Sequence, residues 1–388
     1  MTQTKLTSIP GETKRIPELD GLRGTAIAMV LCYHYFTDAA TFIKRPNLVA
    51  YLQIATRLNW SGVDLFFVLS GFLIGGILLN ARESKNYFKV FYLRRACRIL
   101  PIYMVFCIFI ALCYRIVDLS NQDTWGWLFN GALPWYSYLT FTQNFWMAHL
   151  NFLGPASLSI TWSLAVEEQF YLTLPAVIRF VRGPKLLWVL VTGIVTAPII
   201  RVAVAIGYPQ FRDGLYVLLP CRMDSLLLGV LVAYLLPMRG IREYFFARRK
   251  ILWFLFSILA LGLGYFLTTS NMYTFPMTTI GYDWLALFYL TALVLVLIDT
   301  NCWLARVMRW RWLMGLGAVA YSLYLFHFVV YGLCMGYLRG HAISLQNLSD
   351  LGVTLVSLGL VIGLAKLSWR FFEKPIIRWG HEAQYEAK

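Results

Sequence analysis

Apolar runs of about twenty residues recur along nearly the whole 388-residue chain, separated by short polar connections. A run of this length crosses roughly 30 Å of hydrocarbon as a helix. The composition agrees, because 59% of the residues are hydrophobic and only 14% are charged, whereas an ordinary soluble domain carries about 25% charged residues. The pattern therefore predicts an all-α, polytopic membrane protein.

We expect ten transmembrane helices, near residues 21–38, 61–80, 99–117, 162–180, 186–206, 216–236, 251–268, 282–299, 313–334 and 350–372. They define a transmembrane domain over 21–372, between an N-terminal segment 1–20 and a tail 373–388. The N-terminal segment shows no small-residue cleavage site and is expected to be retained. The connection 118–161 is long, aromatic and free of Lys and Arg. It either lies on the interface as an aromatic belt or roofs a carbohydrate-sized cleft.

Positive charge divides sharply between alternate connections. The set that contains both termini holds most of the Lys and Arg residues, whereas the opposite set holds few: Lys44, Arg45, Arg57, Arg212 and Arg339. By the positive-inside rule, both termini are predicted to be cytoplasmic. This topology explains the formal charge of +15 better than a nucleic-acid partner does. The seven cysteines lack the paired spacing of a zinc site, so we expect no bound metal.

Ionisable residues interrupt several of the apolar runs. Each one costs at least a few kcal/mol in hydrocarbon and so marks a candidate functional site. Arg23 and His34 lie eleven residues apart on the first helix. At 100° per residue they face the same side, about 16 Å apart along the axis. This face is predicted to connect the cytosolic side with the outer half of the membrane.

Three further helices carry polar residues toward the same depth. Asp64 begins the second predicted helix, and Glu167 lies in the outer turns of the fourth. Both carboxylates are therefore expected to approach His34. His327 on the ninth helix lies in the outer half as well, either as a histidine satisfied by helix packing or as a catalytic partner.

Two groups of arginines also admit structural explanations. Arg222 and Asp224 lie at mid-depth in the sixth helix, where an internal ion pair is the favoured interpretation. Arg94, Arg95 and Arg98 precede the third predicted helix. They either determine topology or bind phosphate, to which planar guanidinium groups are suited.

The chemistry that these residues permit is acyl transfer. A neutral His34 can take the proton from an acceptor hydroxyl as that oxygen attacks a thioester carbonyl. A carboxylate on the other ring nitrogen would orient the imidazole, with Glu167 as first choice and Asp64 as second. On the cytosolic side, Arg23 and the arginine cluster would anchor the phosphates of a nucleotide head.

These residues resemble those of the membrane acyltransferase-3 family, which includes enzymes that O-acetylate lipopolysaccharide and exopolysaccharide. The resemblance rests on six elements in the same order along the chain: Leu19–Arg23 with the Arg-x10-His spacing to His34, Gly62–Phe72, Arg95–Pro101, Thr161–Tyr171, Tyr321–His327 and Phe372–Pro375. Each element alone is weak, but together they are specific. They cover residues from about 16 to 378.

The resemblance implies a ten-helix acyltransferase in which Arg23 and His34 are essential. It also implies that Arg95 and Arg98 form the cytosolic arginine pair and that acyl-CoA is the donor. It does not decide which carboxylate partners His34. Some relatives carry an extracytoplasmic hydrolase-like domain after the membrane domain. Here we expect either that the whole transfer occurs in this domain or that a separate partner completes it.

We therefore expect an acyltransferase, of the kind that transfers groups other than amino-acyl groups, in a bacterial inner membrane. It moves an acyl group, expected to be acetyl, from cytosolic acyl-CoA to a hydroxyl of an extracytoplasmic glycan or glycolipid such as exopolysaccharide or lipopolysaccharide. Acyl-CoA is a substrate, no cofactor is bound permanently, and membrane lipid surrounds the protein. The alternatives are acylation of a small molecule, a glycan or lipid transporter or flippase, and a non-catalytic scaffold.

Overall fold

The computed structural model describes residues 16–39, 53–117, 121–131, 133–269 and 271–387. Lys44 and Arg45, as well as most of the predicted N-terminal segment, lie outside these ranges. The described residues form helices and connections and include no strand. Ten helices there have 16 or more residues: α1 Pro17–Cys32, α2 Gly62–Ala81, α3 Tyr87–Ile116, α4 Thr161–Phe180, α5 Pro184–Gly207, α6 Leu219–Leu235, α7 Arg249–Thr269, α8 Tyr282–Ile298, α9 Ala320–Arg339 and α10 Leu348–Ser368.

Shorter elements complete the described part of the chain. The short α-helices are Trp127–Phe129, Trp135–Leu139, Gln143–Leu150, Ala156–Ser159, Arg212–Val217, Ile241–Ala247, Trp303–Met308, Arg311–Ala318 and Lys374–Glu382. A 3₁₀ turn spans Arg57–Ser61, and wider π-helical turns span Tyr33–Asp38, Gln122–Gly126, Met277–Gly281 and Trp369–Glu373.

A long helix lies at each of the ten expected positions. In the described residues, eight helical stretches are long and apolar enough to cross a membrane. The all-α, polytopic architecture is thereby confirmed. The number of ten crossings and the cytoplasmic placement of the termini stay predictions.

Two predicted boundaries are wrong. The helix expected at 99–117 begins at Tyr87, so Arg94, Arg95 and Arg98 belong to α3 and not to a connection. A helix longer than the hydrocarbon needs can extend beyond it, and its charged turns then lie at the bilayer surface. In addition, the helix expected at 313–334 is broken at Val319 into Arg311–Ala318 and α9.

The long helices form an inner and an outer layer. In the most apolar windows of the spans that contain α2, α6, α8 and α9, between 61% and 67% of the residues are buried. In those that contain α3, α5, α7 and α10 the buried share is only 11% to 33%. The outer layer exposes large apolar side chains such as Ile108, Trp188 and Leu261. Such a surface is suited to lipid tails and unsuited to water.

Local sequence signals explain where several helices begin and end. Pro184 occupies the first turn of α5, where its missing N–H costs no hydrogen bond. Asn347 caps α10, since its side chain accepts a hydrogen bond from Asp350 N at 3.0 Å. Gly340 ends α9 with a φ of +70°, a conformation that glycine adopts without steric penalty. Gly340 and Asn347 thus mark the two ends of the connection between α9 and α10.

The two ends of the helix bundle differ in chemistry. The end at which α1 and α3 begin, here called the arginine end, collects Arg23, Arg95 and Arg98. The end of α4 lies there too, because Arg182 pairs with Glu83 at 3.2 Å. The opposite end, at which α1 finishes with the turn Tyr33–Asp38, carries His34 and is here called the histidine end.

Helices α2 and α6 pack at backbone distance through two glycines. A Cβ placed on Gly229 would overlap the backbone of α2 at Val68 and Phe72, and one on Gly71 would overlap the backbone of α6 at Leu226. Small residues at such crossings allow the close approach on which packing in membranes depends. This contact holds the centre of the inner layer together.

We expect Gly229→Ala to destabilise the protein by about 1–3 kcal/mol, because two rigid backbones must separate. The matched control is Gly76→Ala in α2, where an added Cβ meets nothing within 4 Å. Thermal unfolding of the detergent-solubilised variants measures both effects. Equal melting temperatures for the two variants would show that the crossing tolerates a methyl group.

Candidate active site

A cavity of about 190 Å³ runs between the inner helices from the arginine end toward the histidine end. Helices α1, α2, α3, α4 and α9 contribute to its walls, together with the turn Trp369–Glu373. The polar residues that line it are Arg23, Ser70, Arg95, Arg98, Ser163, Glu167, Tyr171, Tyr321, Tyr324 and Glu373. The cavity is therefore lined partly by polar side chains, although apolar helices surround it.

The structure brings the three predicted arginines to this single cavity. Arg23 comes from α1, and Arg95 and Arg98 come from successive turns of α3. Arg23 Nη1 is 3.4 Å from Asp20 Oδ1, a long ion pair. The lining thus carries three guanidinium groups against two carboxyl groups, Glu167 and Glu373, and this excess of positive charge suits phosphate groups.

Glu167 lines the same cavity on its α4 wall. Its side chain hydrogen-bonds with Ser70 and Tyr171, whose hydroxyls also hydrogen-bond each other. The charges of Arg95 and Arg98 act on this carboxyl group. Glu167 therefore lies on the arginine side of the cavity and is held by α2 and α4.

His34 meets a second histidine at the far side of the cavity. His327 Nε2 lies 3.1 Å from His34 Nδ1, and the two rings are 4.9 Å apart between centroids. His327 is fully buried. Its Nδ1 lies 2.8 Å from the carbonyl oxygen of Tyr324, a residue that lines the cavity. The histidine pair therefore adjoins the inner end of the cavity.

The hydrogen-bond partners define the tautomers of both rings. The carbonyl oxygens of Leu323 and Tyr324 can only accept, so His327 Nδ1 carries a proton and its Nε2 is an acceptor in the neutral ring. His34 Nδ1 must then donate, to His327 Nε2 or to the Val30 carbonyl oxygen at 3.1 Å. This arrangement leaves the lone pair of His34 Nε2 available as a base.

The backbone around His34 is unusual. His34 lies in the π-helical turn Tyr33–Asp38 that follows α1. Such wide turns are rare and occur frequently at functional sites. Its ring packs against Phe328, with centroids 4.9 Å apart, and Phe328 in turn contacts Trp127 of the long connection. The aromatic connection therefore packs beside the histidine pair, although Trp135 within it is 73% exposed.

The expectation that a carboxylate orients His34 needs correction. The hydrogen-bond partner of the His34 ring is His327 on α9, a helix that is far from α1 in the sequence. Asp64 is buried and pairs with Arg222 at 2.5 Å, so its charge is already neutralised. Glu167 is held by Ser70 and Tyr171. Side chains at a similar depth can face different neighbours, and helix rotation decides which ones meet.

The predicted internal pair of Arg222 with Asp224 is likewise wrong in its partners. Arg222 pairs with Asp64, whereas Asp224 pairs with Arg201 of α5 at 2.8 Å. Arg201 also binds Asp283 of α8 at 2.7 Å and is fully buried. These ion pairs join the inner helices α2, α6 and α8 to α5 of the outer layer. They belong to the framework of the bundle, as buried charges in membranes often do.

We expect His327→Leu to lower kcat by about 10–100-fold, since His34 loses a hydrogen bond of about 1–3 kcal/mol that fixes its ring. His327→Gln is the matched variant, because its side-chain oxygen can still accept from His34 Nδ1. It should recover much of the loss. The acyl donor KM should stay unchanged in both variants. Equal kcat losses for Leu and Gln, with unfolding at lower temperature, would indicate a packing role instead.

Two signals in the sequence mark residues of the site beyond those predicted. Tyr321 and Tyr324 precede His327 at intervals of three residues, which places all three on one face of α9. All three turn toward the cavity or the histidine pair. Arg201 is the one charge within the apolar run 186–206, and an isolated charge there requires a partner.

Comparison with known proteins supports the resemblance seen in the sequence. The profile of the family Acyl_transf_3, described as an acyltransferase domain, matches residues 16–367. The chain is 26% identical to peptidoglycan O-acetyltransferase OatA of Listeria monocytogenes, over 95% of this chain and 56% of that protein. It is 25% identical to O-acetyltransferase OatA of Staphylococcus aureus, over 95% of this chain and 58% of that protein.

The chain spans less than two thirds of the length of these relatives. No solved structure matches it. The family match nonetheless covers nearly all of the helices described above, including every residue of the histidine pair and the three arginines. The chain therefore belongs to the acyltransferase-3 family of membrane proteins.

Proposed function

We propose that this protein is a membrane O-acyltransferase that moves an acetyl group from acetyl-CoA to a hydroxyl of a surface glycan. The observation that carries the proposal is one cavity with three arginines at its mouth and the His34–His327 pair beside its inner end. A cationic mouth suits the phosphates of coenzyme A. An unprotonated ring nitrogen suits the removal of a hydroxyl proton.

In this proposal the donor enters from the arginine end. Its phosphates bind Arg95 and Arg98, and Arg23 lies further along the same wall. The pantetheine arm, which is long and thin, occupies the cavity between α2 and α9. Its thioester reaches the level of Tyr324, next to the histidine pair. The arginine end is then cytoplasmic, as the positive-inside rule predicts.

The acceptor hydroxyl meets the thioester from the histidine end. Its oxygen attacks the carbonyl carbon, and His34 Nε2 takes its proton. The carbon–sulfur bond then breaks, a carbon–oxygen ester bond forms, and the proton passes to the departing thiolate. The products are an acetylated glycan and free coenzyme A. His327 holds the His34 ring in one tautomer during both proton transfers.

A glycan is proposed as acceptor because the named relatives include a peptidoglycan O-acetyltransferase. The aromatic connection beside the histidine pair also suits a sugar, whose apolar ring face stacks on aromatic side chains. A bacterial cytoplasmic membrane is the location that fits both substrates. The two substrates would then arrive from opposite sides of the bilayer.

The test uses purified protein in liposomes with acetyl-CoA labelled in the acetyl group and with peptidoglycan fragments. We expect label in the glycan and one free thiol released for each acetyl group transferred. Movement of glycan across the bilayer in the absence of acetyl-CoA, without any labelled product, would instead indicate a transporter or flippase.

A further inference from the structure

A second cavity, of about 460 Å³, opens at the histidine end of the bundle. Three separate segments form its walls: the turn after α1, the segment before α2, and the connection between α7 and α8. The lining residues that matter here are Tyr33, Asp38, Gln53, Arg57, Trp60 and Asn271. Its volume falls within the range of about 300–1,000 Å³ that is usual for small-molecule sites.

The walls of this cavity are held in place by contacts within the protein. Thr37 Oγ1 lies 2.6 Å from Thr56 Oγ1, which ties the turn after α1 to the segment before α2. Trp60 is only 4% exposed and packs edge-on against Tyr216 and Tyr282. These contacts fix the described walls in place, so little ordering of these residues is needed for binding.

The lining combines ring surfaces with groups that bind hydroxyls. Tyr33 offers aromatic surface, and Gln53 contributes an amide that both donates and accepts hydrogen bonds. The Oδ1 atom of Asn271 accepts from Tyr273 N at 2.9 Å, so its amino group is the part that a ligand oxygen can meet. A sugar has the matching chemistry, with an apolar ring face and hydroxyls around its edge.

Charge distinguishes this cavity from the first one. Among the described lining residues, the charged ones are one carboxyl group, Asp38, and one guanidinium group, Arg57. The described lining of the first cavity holds three arginines against two carboxyl groups, an excess of positive charge that suits nucleotide phosphates. The described lining of the second cavity has no such excess and suits an uncharged ligand, and this cavity lies at the opposite end of the bundle from the donor arginines.

The second cavity also lies next to His34, the proposed general base. Tyr33 lines it and is the chain neighbour of His34, and their rings meet edge to face with centroids 5.2 Å apart. We propose that this cavity is the acceptor subsite and that it binds an uncharged pyranose unit of a glycan, one hydroxyl of which is presented to His34. This inference rests on the proposed function and adds to it the location and the chemical class of the acceptor.

The test is steady-state kinetics of the full chain in detergent, with acetyl-CoA as donor and chitotetraose, an uncharged sugar oligomer, as acceptor probe. The variant Gln53→Ala/Asn271→Ala removes two amides from the wall. We expect its KM for chitotetraose to rise about 10-fold or more, because two hydrogen bonds to the sugar are lost. Its KM for acetyl-CoA should stay within twofold, which also shows that the variant is folded.

The matched control is Asn301→Ala, which removes an exposed amide from the connection after α8, outside this cavity and outside the aromatic connection. It should leave both KM values unchanged. An unchanged KM for chitotetraose in the double variant would overturn the subsite while leaving the proposed function intact. Transfer to a non-sugar alcohol, with none to chitotetraose, would overturn the pyranose assignment. The proposed function itself would fail separately, if the unaltered protein transferred no acetyl group from acetyl-CoA to any acceptor.

Discussion

His34→Ala should lower kcat for acetyl transfer by about 10²–10⁴-fold, the range that a general base contributes. The variant keeps the three arginines of the donor cavity, so its KM for acetyl-CoA should change little. Rates of free thiol release with a glycan acceptor measure both parameters. His149→Ala is the matched control, because His149 lies exposed on the short helix Gln143–Leu150, away from the histidine pair.

A rate for His34→Ala within threefold of the unaltered protein would remove His34 from the mechanism. The same variant also separates direct transfer from a covalent route. Incubation with labelled acetyl-CoA alone should leave the protein unlabelled if the acceptor hydroxyl attacks the thioester directly. Stable labelling that disappears in His34→Ala would instead establish an acetyl-histidine intermediate.

Arg201→Leu should be the most destabilising single change in the ion-pair framework. Arg201 is fully buried and binds both Asp224 and Asp283. Its removal leaves two carboxylates without their counterion, and breaking a buried pair typically costs about 3–5 kcal/mol. We expect a melting temperature that is lower by many degrees in detergent, together with a loss of monodisperse protein in size-exclusion chromatography.

The control for this prediction is Arg182→Leu, which breaks the exposed pair with Glu83. Exposed pairs contribute about 0–1 kcal/mol, so this variant should melt nearly as the unaltered protein does. The double variant Arg222→Met/Asp64→Leu provides a second comparison, because it replaces a buried pair as a whole and should be tolerated far better than Arg222→Met alone. Equal stability of all these variants would contradict a structural role for the network.

The long apolar runs made the helical architecture predictable, since hydrocarbon length and backbone hydrogen bonding leave few alternatives. The spacing of Arg23 in α1 and His34 in the turn that follows it also predicted two residues that lie at the cavity and beside it. Both inferences depend only on local geometry. A single helix has a known rise and rotation per residue, whatever packs around it.

Contacts between helices were much harder to predict. Asp64, Glu167 and His327 were all expected near the depth of His34, but of these three only His327 meets it. The rotation of each helix about its axis depends on packing details, such as the backbone approach at Gly229, that a single sequence does not reveal. For the same reason Arg222 was assigned to its neighbour Asp224, although its partner lies on α2.

The predicted start of α3 was too late, because a cluster of arginines is typical of a connection between two membrane helices. Arg94, Arg95 and Arg98 are helical, and their placement within α3 directs two of them into the cavity. A helix can continue beyond the hydrocarbon as long as its charges reach water or a polar cavity. The charges were therefore a wrong guide to where the helix begins, and the position of the membrane surface that they indicate stays a prediction.

Acyl transfer to a glycan by means of His34 is tested most directly by mass spectrometry of surface glycans. The samples come from cells that contain the unaltered protein, His34→Ala or neither. We expect an acetyl mass increment on the glycan only in cells with the unaltered protein. Identical glycan masses in all three samples, with the protein present in the membrane, would contradict it.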